Sequence, residues 1–191
     1  MTCSAARSSD RAPPVTGART LPPIRLAAFD VDGVLTDGGL YYSGGGDAMK
    51  VFGVRDGMGI RLLQEAGIEV AIITSRKAPM VEARAADLGI RNLQQGVKDK
   101  ASAFAGLLSA LAVAPEASAF MGDDLVDLPA FRLCGFAVTV ADAPAVLKRH
   151  ARHVTRARGG HGAVREFCEL LLHRQGMLAA RTRCFLGNTA G

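Results

Sequence analysis

Apolar residues recur along this chain in short continuous runs, and each run stops at a polar or glycine-rich corner. The runs lie at 24–29, 68–73, 117–121 and 136–140, with a shorter one near 90–93. Runs of this length predict strands buried on both faces, as in a parallel sheet. Helix signals lie between them. Asp56 stands as a cap ahead of 58–66 with Gly67 as its left-handed end, and Pro79 opens a segment that Gly89 closes. Further helices are expected over about 101–112, shortly after Asp127, and over 162–174. Strands alternating with helices imply an α/β fold: a doubly wound, Rossmann-like parallel sheet in three layers with right-handed crossovers. One segment departs from the alternation. In 38–52 two short β-prone pieces flank Gly44-Gly45-Gly46, which predicts a hairpin. Its Tyr41 and Tyr42 fit hairpin packing, a flap over the sheet edge, or an oligomer contact.

The alternation runs from 24 to 176 and reads as one domain, with no room for a large cap domain between the first strand and the second. Residues 1–23 hold four of the eight prolines, three arginines and one acid, and lack a continuous apolar segment. They read as a disordered leader. An organelle-targeting role finds no amphipathic periodicity there and meets two Pro-Pro pairs, so a cytoplasmic protein is expected. Residues 177–191 carry little periodicity and read as a flexible tail.

Composition narrows the class. With 49% hydrophobic residues in 191, the chain can bury one sizeable core. No apolar run approaches the roughly 18 residues of a membrane span. The net charge of +5 is concentrated in Lys148, Arg149, Arg152, Arg156, Arg158 and Arg165, with no acid from 148 to 165. That run lacks an aromatic platform for bases, so it fits solvation or a small anion better than nucleic acid. Cys3, Cys134, Cys168 and Cys184 have neither zinc nor disulfide spacing and read as thiols of a reducing compartment.

The chemistry collects at strand ends. Asp30 and Asp32 end the first run and share a side of an extended chain, a pair that can hold a divalent metal and still offer an oxygen to a substrate. Thr74, Lys100, Asp123 and Asp127 also stand after strand ends, and in a parallel sheet these ends share one edge. Facing carboxylates need a cation. Oxygen ligands without His or Cys favour a hard ion such as magnesium. Lys100 suits a phosphate or a phosphorylated aspartate, and Thr74 with the following backbone amides can hold phosphate oxygens. The set suits phosphoryl transfer.

Asp30-Val31-Asp32-Gly33-Val34, Thr74, Lys100 and the stretch from Gly122 to Asp127 resemble the four motifs of the haloacid dehalogenase-like phosphatase superfamily. Within it, Tyr41-Tyr42, Arg55-Asp56-Gly57, Thr74-Ser75-Arg76, Gln95-Gly96, Asp99-Lys100 and the stretch from Gly159 to Glu166 resemble the 3-deoxy-D-manno-octulosonate 8-phosphate phosphatase family. The resemblance implies a magnesium-dependent, capless, tetrameric phosphatase of lipopolysaccharide biosynthesis, with the hairpins forming a central barrel and neighbours covering each site. It implies Asp30 as nucleophile, forming an aspartyl-phosphate, and Asp32 as acid and base. It also implies magnesium held by Asp30 and Asp123, by the Asp32 carbonyl, and by Asp127 in support. Lys100 would hold nucleophile and phosphate together, and Thr74 and Ser75 would hold phosphate. Arg76, Arg165, Lys50 and Arg55 are candidates for the substrate's carboxylate or hydroxyls. Two positions depart from the family pattern: Ser75 and His161 stand where it has glycine and arginine. A backbone amide contact at Ser75 survives if no positive φ is required.

Other functions compete. A nine-carbon sugar acid phosphate is an alternative substrate, and related domains serve in assembly when appended to sugar-acid cytidylyltransferases; retention of Asp32 argues against that inert role. A receiver-type signalling domain would leave Asp32 and the hairpin unexplained.

Overall fold

The computed structural model describes residues 22–185, so most of the expected leader and residues 186–191 lie outside the described residues. The elements in order are β1 (Leu26–Phe29), β2 (Tyr41–Ser43), β3 (Gly46–Met49), α1 (Val54–Glu65), β4 (Glu69–Thr74), α2 (Pro79–Asp87), β5 (Asn92–Gln95) and α3 (Lys100–Ala110). They continue with β6 (Ser118–Gly122), α4 (Leu128–Leu133), β7 (Phe136–Thr139), α5 (Ala145–His150), β8 (His153–Val154), α6 (Ala163–Arg174) and α7 (Leu178–Phe185). Single 3₁₀ turns precede β6 and α4.

Six strands form a parallel sheet in the order β5-β4-β1-β6-β7-β8, and β2 and β3 form a separate antiparallel hairpin. The doubly wound α/β reading holds, and no large cap domain occurs among the described residues. β1 lies between β4 and β6 with all four residues buried, because its side chains are apolar on both faces. Register separates the two faces. Ala28 lies beside Phe120, so Phe29 points the opposite way from Phe120. On one face Phe29 meets Phe167 of α6 edge-on at 5.8 Å, and α6 packs along α1. On the other, Phe120 meets Phe104 of α3 at 5.3 Å and Phe131 of α4 at 6.2 Å.

Several elements differ from expectation. β5 lies two residues further on than the run near 90–93. α5 leads into the basic run and β8 lies within it, neither marked by an apolar period; β8 is two residues long and owes its conformation to pairing with β7. The expected flexible tail contains α7, none of whose residues is buried, which is why periodicity did not reveal it. Among the described residues no helix is long and apolar enough to cross a membrane.

Asp56 does not cap the helix expected at 58–66. That helix begins at Val54, and the buried Asp56 carboxylate accepts hydrogen bonds from the backbone N–H groups of Gly162 (3.1 Å) and Arg165 (2.8 Å). It therefore serves the N-terminus of α6, tying together two helices far apart in sequence. Asp56→Ala strands these two donors, and we expect it to lower the free energy of unfolding by about 2 kcal/mol in urea denaturation.

Candidate active site

The chain leaves β1 at Asp30, whose N–H still donates to Met121 O of β6 (2.9 Å), and then turns around one carbonyl. Val31 O accepts from the N–H groups of Val34, Leu35 and Thr36 at 2.9–3.2 Å and from the Thr36 hydroxyl at 3.3 Å. Gly33 lies in this turn at φ +86°, and a Cβ there would overlap the Asp123 carboxylate. Glycine is required twice, by its dihedral and by the close approach. The segment at 159–160 clamps the turn from outside. Gly160 N–H donates to Val34 O (3.0 Å), and a Cβ on Gly159 would strike Gly33 O.

Two other strand ends arrive beside it. Asp99 caps α3, accepting from Ala101 N–H (3.0 Å) and Ser102 N–H (3.1 Å), so Lys100 takes the first helical position. The Ser102 hydroxyl and these amides hold the Asp99 carboxyl below its ordinary value. The Lys100 ammonium is buried, 2.8 Å from Asp30 Oδ2 and 2.6 Å from Asp127 Oδ1. Asp127 Oδ2 accepts from the N–H groups of Asp123 (3.0 Å) and Asp124 (3.2 Å), which folds the loop after β6 so that Asp123 faces Asp30.

The charges do not balance. Burial, then Asp127, pushes the Asp30 carboxyl up to about 6 against the pull of Lys100. Burial, then Asp30, Asp127 and Asp124, pushes Asp123 up to about 8. Burial works against the Lys100 charge, but Asp30 and Asp127 outweigh it and raise its pKa. One oxygen each of Asp30, Asp123 and Asp127 lies within 4.8 Å of the others, and Asp30 Oδ1 is buried without a hydrogen-bond partner. This donor set fits a hard divalent cation. Because both Asp127 oxygens already accept hydrogen bonds, Asp30 and Asp123 are the two that could serve as direct ligands, with Asp127 behind them. The Asp32 side chain lies outside this group.

Asp30, Asp32, Thr74, Ser75, Arg76, Lys100 and Asp123 line one cleft of about 250 Å³. Thr74 is buried at the end of β4, and Ser75 does not require a positive φ, since Ala112 is the one non-glycine residue with φ > 0 among the described residues. Arg165 is not brought to this cleft. Its Nε donates to Glu169 (2.7 Å), and with Arg55 and His161 it lines a separate pocket of about 620 Å³. Its place in the motif string pointed to the substrate, but its backbone is what the motif fixes, through Asp56. Lys50, a candidate for the substrate's carboxylate or hydroxyls, pairs with Asp32 Oδ1. The only sequence signal for that contact is a lysine at the hairpin's exit.

A central strand ending in a buried carboxylate, a polar cleft and a lysine–carboxylate cluster on one edge fit a hydrolase of the haloacid dehalogenase-like class. A family model described as haloacid dehalogenase-like hydrolase matches residues 53–135. The 3-deoxy-D-manno-octulosonate 8-phosphate phosphatase KdsC of Escherichia coli (strain K12) is 54% identical over 155 residues, covering 81% of this chain and 82% of that protein. The structure of the phosphatase from Moraxella catarrhalis, in complex with magnesium ion, phosphate ion and KDO, is 41% identical with a TM-score of 0.84, covering 87% of this chain and 95% of that one. The cobalt-bound phosphatase (YrbI) of Haemophilus influenzae is 44% identical with a TM-score of 0.82, covering 84% and 94%. The chain belongs to the 3-deoxy-D-manno-octulosonate 8-phosphate phosphatase family of the haloacid dehalogenase-like hydrolases.

The raised carboxyls predict a pH-dependent response to metal. Protonated Asp30 and Asp123 favour the folded state fully below their ordinary value of 3.8, and that contribution is lost as pH rises through about 6 and about 8. Without metal, stability contributed by this pair falls across that window. A divalent cation binds the ionised pair, so the increase in Tm it causes should be larger at pH 8 than at pH 5 in thermal melts against a chelator control.

Proposed function

We propose that the chain hydrolyses 3-deoxy-D-manno-octulosonate 8-phosphate to the free sugar acid and phosphate, with magnesium as cofactor, in lipopolysaccharide biosynthesis. The observation that carries this reading is the buried Asp30 carboxylate, oriented through Oδ2 by Lys100 and opening on a cleft shared with Asp32 and Thr74. The identity to named phosphatases over four fifths of the chain supports the substrate.

Asp30 attacks phosphorus as the ester P–O bond breaks, and Asp32 gives its proton to the departing sugar oxygen. An aspartyl-phosphate on Asp30 results. Asp32, now a carboxylate, takes a proton from water, which attacks phosphorus, frees phosphate and restores Asp30. Lys100 keeps Asp30 aligned through both halves, while the Thr74 hydroxyl and Ser75 backbone amide hold phosphoryl oxygens. Asp30, Asp123 and the Asp32 carbonyl, backed by Asp127, would hold magnesium, which would supply charge neutralisation for the carboxylates and the transferring group. Arg76, partly exposed at the rim, is suited to the sugar's carboxylate. Arg165 has no contact with substrate in this reading.

The chain works as a homotetramer in the same reading. Leu40, Tyr41, Tyr42, Met49, Val51 and Val54, on and beside the hairpin, are all exposed, more apolar surface than one short ribbon leaves to water without a partner. Light scattering should return the mass of four chains, and a charged residue at Val54 should lower it.

Phosphate release from a panel of sugar phosphates should be fastest with the eight-carbon acid and absent without magnesium. Asp30→Asn should abolish it, and Asp32→Asn should lower kcat by about 100-fold or more. Undiminished magnesium-dependent turnover by Asp30→Asn would overturn the mechanism, and equal rates on unrelated esters, including nine-carbon acids, would overturn the substrate.

A further inference from the structure

The hairpin inverts the usual partition of residues. At its exit Met49 and Val51 are 53% and 54% exposed, whereas the Lys50 side chain between them is 1% exposed. A buried lysine is tolerated only when paired, and the partner here is Oδ1 of Asp32. The hairpin reaches the same carboxylate by a second route: Arg76 Nη2 donates to the Tyr42 phenol of β2 (3.1 Å), while Arg76 Nε lies 3.8 Å from Asp32 Oδ2. The residue that must move protons is thus gripped by an element outside the main sheet.

We propose that Lys50 is a positioning residue for the acid–base work of Asp32, a role that rests on the phosphatase reading above. An ammonium has donors and no acceptor, so Oδ1 facing Lys50 must accept. The proton that Asp32 delivers is therefore carried on Oδ2. When the ester P–O bond breaks, its electron pair stays on the sugar oxygen, which takes the Oδ2 proton. Lys50 keeps its own protons and stabilises the carboxylate left behind. At 1% exposure Lys50 reaches a substrate only by abandoning Asp32, so its effect is on proton delivery rather than on holding the sugar acid.

The test uses leaving-group basicity, because an ester with a weakly basic leaving group needs little help from an acid. The full chain with magnesium is assayed for kcat/KM on the sugar acid phosphate, phenyl phosphate and p-nitrophenyl phosphate. The value reports the first phosphoryl transfer. Lys50→Met should lower it by about 100-fold on the sugar phosphate, less on phenyl phosphate, and by under about threefold on p-nitrophenyl phosphate. The retained p-nitrophenyl activity also controls for folding. Lys50→Arg should recover most of the sugar phosphate rate. Equal losses on all three esters would overturn the proposal, as would a rise in KM confined to the sugar acid with phenyl phosphate unaffected. Either outcome leaves the phosphatase reading standing. A wild-type chain inactive on all three esters would remove that reading, and the role of Lys50 with it.

Discussion

Lys100 is the residue on which the catalytic edge depends. Its buried ammonium bridges Asp30, on the strand at the centre of the sheet, and Asp127, in the loop after the neighbouring strand. Taking an ammonium out of water is costly unless carboxylates compensate, and two of them do. Asp127 passes the constraint on by binding the backbone of Asp123 and Asp124 with its other oxygen. Asp123 then lies against Gly33, and Asp127 against Gly122, at distances where a β-carbon would collide with each carboxylate. One cation thus fixes three acids and demands two glycines. It does not neutralise the acids: burial first, and then the neighbouring carboxylates, raise Asp30 and Asp123, and the cluster fits a second, divalent cation.

The support around this cluster is also made of carboxylates, aimed at backbone amides. Asp142 accepts from Gly159 N–H, Glu166 from the N–H groups of Arg156 and Ala157, and Asp56 from those of Gly162 and Arg165. The segment 156–165 is therefore pinned along its length, and its glycines press on the turn at 33–36. The Asp142 carboxyl is held below its ordinary value by the Gly159 amide and the Arg158 guanidinium, which together outweigh the effect of its burial. Within the basic run from Lys148 to Arg165, the Arg158 side chain pairs with Asp142 and that of Arg165 with Glu169.

Strand ends were legible because their signal is local. Asp30, Thr74, Lys100 and Asp123 each stand where an apolar run stops, and parallel topology alone carries them to one edge. The hairpin was legible from Gly44-Gly45-Gly46 for the same reason. What escaped depends on partners distant in sequence. Asp56 sits at a helix start and looks like its cap, yet the amides it binds belong to Gly162 and Arg165. Arg165 stands in a motif whose backbone Asp56 holds, and its side chain pairs with Glu169 away from the cleft of its own chain, a placement that the motif string does not show. β8 exists only as an addition to β7, and α7 lies on the surface without an apolar stripe, so neither carries a period to read. Lys50 was visible as a lysine, but its burial is a tertiary property.

Asp30 and Asp32 stand two residues apart, and the fold gives each its own lysine. Lys100 approaches Asp30 from α3 inside the core, in a site crowded with other carboxylates. Lys50 approaches Asp32 from the hairpin, on the wetter side of the cleft, where the Asp32 side chain is 21% exposed and can exchange a proton with an ester oxygen or with water. The two lysines also come from parts of the chain with different stability. α3 is packed into the core, whereas the hairpin shows its apolar faces to solvent until something covers them. In the proposed mechanism attack and proton transfer are thus anchored to separate elements, and what covers the hairpin would bear on Asp32 without touching Asp30.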